Sequence, residues 1–208
     1  MYPLHAAFSG SGKLYLAYSD NCGPNLSPTA GAVYVYDTQS DRFTDITPDL
    51  NDGRQGGFGG ISVDVRNPDT VVVSTLGWWS DNGDNLYYTT DGGDSWSGLF
   101  NLNTKENHYQ MDTAQAEWLD WGRGENQAKT GWWVADVNIN PFNSDEVMYG
   151  TGATIYSTQN MTKIGTEPVT IAFDAYGLEE TAVFKMLAPP STVSYTHLRA
   201  HETTLHLV

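Results

Sequence analysis

Short apolar and aromatic runs alternate with polar punctuation rich in Gly, Pro, Asn and Asp along most of the chain. Leu14–Tyr18, Ala32–Tyr36 and Arg42–Ile46 are the first strands this pattern predicts, with residues 19–31 as a loop. Ile61–Val65 alternates with period two, and Val71–Thr75 is a continuous apolar run suited to a strand buried on both faces. Leu86–Trp96 reads as two short strands joined by an acidic turn. Residues Asn101–Thr130 form a long polar connection carrying Tyr109, Trp118 and Trp121, and connections of that length are usually functional or disordered. Alternation resumes over Trp133–Asn140, and Val147–Thr151 is the next strand. Thr154–Thr158 and Met161–Ile164 read as a hairpin, and Thr181–Phe184 begins a further strand.

The Leu86–Trp96 hairpin carries Thr89, Asp91, Gly93, Ser95 and Trp96 in the spacing Ser/Thr-x-Asp-x-Gly-x-Ser/Thr-Trp, which resembles the Asp-box. Glycine at the reversal takes positive φ without steric cost, and the Asp carboxylate can accept backbone N–H bonds within its own turn. The motif specifies a hairpin rather than a chemistry.

The strands repeat. Val63–Pro68 aligns with Val137–Pro141, Val71–Thr75 with Val147–Thr151, and Leu86–Trp96 with Thr154–Ile164; both hairpins align with Val33–Phe43. In the second hairpin Gln159 stands where Asp91 stands in the first. Each unit is two inner strands followed by an outer hairpin, the signature of propeller blades. The predicted fold is all-β: a partial β-propeller of about three four-stranded blades. An unclosed arc leaves blade faces uncovered, so the chain reads as a piece of something larger.

Composition narrows the partners. The 208 residues carry a formal charge of −15, which repels phosphate backbones and anionic membranes but not a neutral glycan. The single cysteine, Cys22, excludes an intrachain disulfide, and Cys and His are too scattered for a zinc site. No cofactor or metal is expected. The start, Met1–His5, lacks the basic and apolar regions of a signal peptide, and no run approaches membrane-span length. The glycine tract Gly56–Gly60 lacks the Lys-Ser/Thr and following helix of a phosphate loop.

The run Gly131–Tyr156 resembles glycoside hydrolase family 74, the xyloglucan-specific endo-β-1,4-glucanases and oligoxyloglucan-releasing enzymes. Leu14–Asp20 followed by Gly23-Pro24, Phe43–Pro48, Gly59–Asp64, Trp78-Trp79 and Gly177–Val183 leading to Ala188–Pro190 fit the same family in order. Phe43 stands where that family more often has tryptophan. The resemblance implies two seven-bladed propellers facing across a cleft and hydrolysis with inversion. Inversion needs an acid and a base roughly 6.5–9.5 Å apart. It also implies that the one catalytic Asp lies upstream of anything matching Met1 and the other downstream of Ala188–Pro190. Neither is carried onto a residue here.

By that resemblance, Trp78 and Trp79 look like a tandem pair that stacks on glucosyl units. Tyr109, Trp118 and Trp121 on the long connection, and Trp132 at the next strand, are the further candidates for substrate binding; Trp133 is the partner of Trp132. One exposed indole face is worth roughly 2 kcal/mol against a sugar. Asp81, Asp84, Asp112, Asp120 and Asp136 read as turn ligands or surface charges, and Glu179-Glu180 as backbone ligands. The expected partners are xyloglucan or a related β-glucan and the remainder of a two-propeller parent, in an extracellular setting. The rival readings are a non-catalytic glycan-binding propeller and a structural scaffold.

Residues 1–193 are taken as part of the first propeller. From Ser194 the composition changes abruptly, and three of the five His follow residue 193. That tail resembles a translated sequencing adapter and is set apart. His201-Glu-Thr-Thr-Leu-His206 is one residue too long for the His-Glu-x-x-His zinc helix.

Overall fold

The computed structural model describes residues 1–21, 27–50, 56–78, 82–101, 103–115 and 129–177. These form three sheets. The first is an antiparallel meander of β1 (Tyr2–Phe8), β2 (Lys13–Ser19), β3 (Gly31–Asp37) and β4 (Arg42–Asp45). The second repeats it with β5 (Gly57–Val63), β6 (Val71–Leu76), β7 (Leu86–Thr89) and β8 (Ser97–Gly98). The third holds β10 (Asp136–Asn140), β11 (Asn143–Gly150), β12 (Ile155–Thr158) and β13 (Val169–Phe173), with β9 (Tyr109–Asp112) added parallel to β13 at its outer edge.

The inner strands converge. β5 touches β1 and β2 on one side and β10 on the other. Across it, His5 of β1 comes within 3.7 Å of Asp136 of β10. The sheets therefore stack face to face around an axis, as consecutive propeller blades do.

β6 shows why one apolar run serves two interfaces. Val71 and Val73 join Tyr15, Ala17, Val33, Ile46 and Phe58 in the core between the first and second sheets. Val72, pointing the other way, joins Val137, Val147, Tyr149 and Tyr156 between the second and third. All three valines are 0% exposed. Aromatic packing reinforces the second core: Tyr156 stacks on Tyr149 at 5.1 Å and meets Phe173 edge-on at 4.9 Å.

The structure departs from the sequence reading at five places. Tyr2–Phe8 is an additional inner strand. The glycine tract enters β5, because neighbouring backbone packs where side chains would sit: a Cβ on Gly59 would lie 2.5 Å from the Val134 carbonyl oxygen, and one on Gly60 2.6 Å from the Val137 nitrogen. The 101–130 connection is not strandless, since it holds β9. Met161–Lys163 is a 3-10 turn rather than the return strand, which is Val169–Phe173. Finally, β10 begins at Asp136, because Trp133 has a left-handed φ of 62° that a strand does not accommodate. The Thr181 strand lies outside the described residues.

The acidic turn after β7 docks on the first sheet. Asp91 accepts from the Thr89 hydroxyl at 2.6 Å, from the Ser95 amide at 2.9 Å and from the Ser95 hydroxyl at 2.5 Å. These donors hold the Asp91 carboxyl down at about 2. Gly93, at φ 101°, leaves space that a Cβ would close, 2.7 Å from Ile46.

Candidate functional site

In an antiparallel meander, the connections after the second and fourth strands leave at one end, and those after the first and third at the other. Here the two ends differ sharply. The odd end has tight turns bonded between sheets: Ser9 Oγ donates to the Pro68 carbonyl at 2.8 Å, Lys13 Nζ to Asp69 at 2.7 Å, and Arg66 Nη1 to the Phe142 carbonyl at 3.0 Å. The even end carries the described parts of the connections that follow β4, β6 and β8, on which Trp78 and Trp132 lie. A rigid scaffold with long aromatic loops at one end is a usual way to present a binding face.

Asp84 is the buried hub of that end, 1% exposed. Its Oδ1 accepts from the Trp78 amide at 2.8 Å and the Thr75 hydroxyl at 3.0 Å. Its Oδ2 accepts from the Gly77 amide at 3.1 Å and the Val134 amide at 3.2 Å. Asn85 N–H donates to Thr75 Oγ1 at 2.8 Å, which leaves the threonine proton for the carboxylate. The Asp84 backbone bonds the same neighbouring loop, its N–H to Gly131 at 2.7 Å and its carbonyl from Thr130 Oγ1 at 2.6 Å. Desolvation pushes the carboxyl up to about 6 against these donors, so it is ionised at neutral pH.

Beside this hub is a cleft of about 190 Å³. Trp78, Tyr87, Trp96 and Phe100 form its apolar walls, and Asp49 and Glu106 add carboxylates. Trp78 is only 6% exposed and packs so closely on Gly56 that a Cβ there would lie 2.0 Å from its indole nitrogen.

No protein-family model matches the chain. Individual relatives do. The chain is 37% identical over 202 residues to the xyloglucanase Xgh74A of Acetivibrio thermocellus, covering 91% of this chain and 24% of that protein. It is 34% identical over 226 residues to an oligoxyloglucan-reducing end-specific xyloglucanase of Emericella nidulans, covering 90% and 27%. The solved structure of a family 74 xyloglucanase from Xanthomonas campestris superposes with a TM-score of 0.68 at 26% identity, covering 82% of this chain and 23% of that one. The chain belongs to glycoside hydrolase family 74. It spans about a quarter of the length of the curated relatives it matches.

Within this family 74 chain the anticipated site residues are distributed unevenly. Trp78 lines the cleft as a buried wall rather than as an open platform. Trp132 sits on the connection before β10, half-buried, with Lys129 Nζ 4.3 Å from its ring centroid. Asp84 links the backbones of these two loops. Tyr109 is elsewhere: on β9 it packs against the core beside Phe100, ring centroids 6.2 Å apart, because β9 is a paired strand and not free loop. Trp79, Trp118 and Trp121 lie outside the described residues, as do Asp81, Asp120, Cys22, Glu179 and Glu180. Asp112 and Asp136 are exposed. Among the described residues, no group of His, Cys, Asp and Glu could hold a metal ion.

Two residues organise this end. Asp84, read from the sequence among five aspartates as a turn ligand or surface charge, is a turn ligand that also reaches the next connection. The other, which the sequence pattern did not single out, is Asn85, buried, whose side chain accepts from Leu99 N at 3.0 Å and donates to the Phe100 carbonyl at 2.8 Å, closing the outer edge of the second sheet. The available signal was two polar residues directly abutting the buried run Leu86–Thr89.

Proposed function

We propose that this chain is part of a secreted glycoside hydrolase that cleaves the β-1,4-glucan backbone of xyloglucan with inversion, and that it supplies binding aromatics rather than the acid and base. The observation that carries the reading is the similarity, over nine-tenths of the chain, to proteins named as xyloglucanases. The placement of Trp78 and Trp132 on connections joined through Asp84 supports a binding role. Among the described residues Trp78 and Trp132 are the proposed contacts, with Trp79, Trp118 and Trp121 on the same connections. Tyr109 contributes by fixing the long connection to the third sheet. The reading expects the rest of a two-propeller parent as the structural partner. An acidic surface and a neutral substrate are compatible. Among the described residues, no helix is long and apolar enough to cross a membrane.

The test uses the full 208-residue chain. Calorimetric titration with xyloglucan oligosaccharides is expected to give saturable binding, while a reducing-end assay gives no turnover. Turnover would show that the acid and base are present in the chain. Absence of binding at millimolar oligosaccharide would favour a scaffold.

A further inference from the structure

We propose that Asp84 is a positioning residue that sets the aromatic face by clamping the Trp78 and Trp132 connections to one another. The proposal rests on the glycan-binding reading for its consequence, but its geometry stands alone. A single carboxylate takes two amides from the 77–78 turn and one from Val134, two residues after Trp132. The first connection joins β6 to β7 within the second sheet, and the other enters the third. Thr130, on the second connection, adds a bridge of its own, its Oγ1 donating to the Asn82 carbonyl at 2.7 Å and the Asp84 carbonyl at 2.6 Å. The two connections are thus joined by the Asp84 carboxylate, by its own backbone and by Thr130, whose N–H and hydroxyl both donate to the Asn82 carbonyl; of these links the carboxylate is the one that can titrate.

The ionised form is what the site is built for. Amides and a threonine hydroxyl converge on it as donors, so a protonated carboxyl brings a hydrogen where acceptors are required. Burial lifts its titration to about 6, inside an accessible range. Tyr149 of β11, electrostatically coupled to Asp84, is driven well above its ordinary value by burial and stays neutral. Lys129 lies on the same connection as Val134, over the Trp132 ring.

Asp84→Asn keeps the shape but aims an amide N–H₂ at amide donors. Two measurements decide the matter on the intact chain. In NMR titration the amide protons of Gly77, Trp78 and Val134 are expected to shift together, with one midpoint near about pH 6, and to stop doing so in D84N. Separate midpoints, or no titration, would overturn the clamp whatever the chain binds. In glycan titration D84N is expected to weaken xyloglucan oligosaccharide binding roughly tenfold. Asp91→Asn, which loosens the turn at the far end, serves as the stability control and is expected to leave affinity unchanged. Equal losses in both variants, or none in D84N, would reduce Asp84 to a stability element. If the parent chain binds no glycan while the amides still titrate together, the functional reading fails and the clamp stands.

Discussion

The indole N–H of Trp96 donates to the carbonyl oxygen of Ile46 at 2.8 Å. One residue thereby follows the acidic turn of the second sheet and bonds the residue just past β4, the strand that closes the first. The tryptophan is a bolt between sheets as well as a lid.

Trp96→Phe keeps most of the buried ring and removes the donor. It is expected to lower stability by roughly 1–2 kcal/mol, the cost of leaving a carbonyl unpaired in a part-buried place. Urea unfolding followed by fluorescence should show a lower midpoint with an unchanged slope. A midpoint equal to the parent's would mean that water replaces the bond fully.

Two carboxylates give the stability–pH curve opposite slopes. Asp91 is held at about 2, below the ordinary 3.8, so its contribution is complete above about pH 4 and is lost as pH falls toward 2. Asp20, Asp37 and Asp64 are also lowered, by hydrogen bonds, and add to that acid limb. Asp84 is raised to about 6, so the folded state holds its proton more tightly than the unfolded chain does, and stability falls as pH climbs from about 4 to about 6. Thermal melts should therefore peak near about pH 4. In D84N the decline above that peak is expected to vanish while the acid limb remains.

The second hairpin carries a lesson about alignment. From the sequence Gln159 takes the place of Asp91. In the structure the equivalence is Thr158 with Thr89 and Asn160 with Asp91: Thr158 Oγ1 donates to Asn160 Oδ1 at 3.0 Å, as Thr89 does to Asp91. Asn160 also donates its Nδ2 to the Pro168 carbonyl at 3.1 Å, a bond no carboxylate can make. Asn160→Asp, which brings the turn closer to the first hairpin in sequence, is therefore expected to destabilise by roughly 1 kcal/mol at neutral pH. Chemical denaturation of the single variant checks it, and a gain in stability would overturn the argument.

The strands most legible in the sequence were those whose side chains face a core on a regular period. β6 could be read as doubly buried because its unbroken apolar run puts Val71 and Val73 on one face and Val72 on the other. β1 was harder: with Tyr2 and Phe8 exposed and Ala6 beside them, its burial pattern is mostly open. β9 escaped because its partner, β13, is remote in sequence and parallel, so no turn announces the pairing. The end-to-end asymmetry of the molecule was implicit in loop lengths. The hub at Asp84 was not, since its bonds depend on where Gly77 and Val134 arrive in space. Local spacing alone could not separate it from the exposed Asp112 and Asp136.

Trp132 offers the sharpest test of the binding face. Lys129 occupies one face of its ring, a contact worth about 0.5–1 kcal/mol where exposed. A pyranose would stack on what remains, gaining from burial of the indole rather than from charge. Trp132→Ala is accordingly expected to weaken xyloglucan oligosaccharide binding by roughly tenfold, or about 1.4 kcal/mol, while Lys129→Ala changes it far less. Because the ligand is neutral, the dissociation constant of the parent chain should not move between low and high salt, despite a protein charge of −15. Calorimetry at two ionic strengths measures both effects. An affinity that W132A leaves intact would remove this indole from the face, and a strong salt dependence would point to charge rather than stacking as the source of binding.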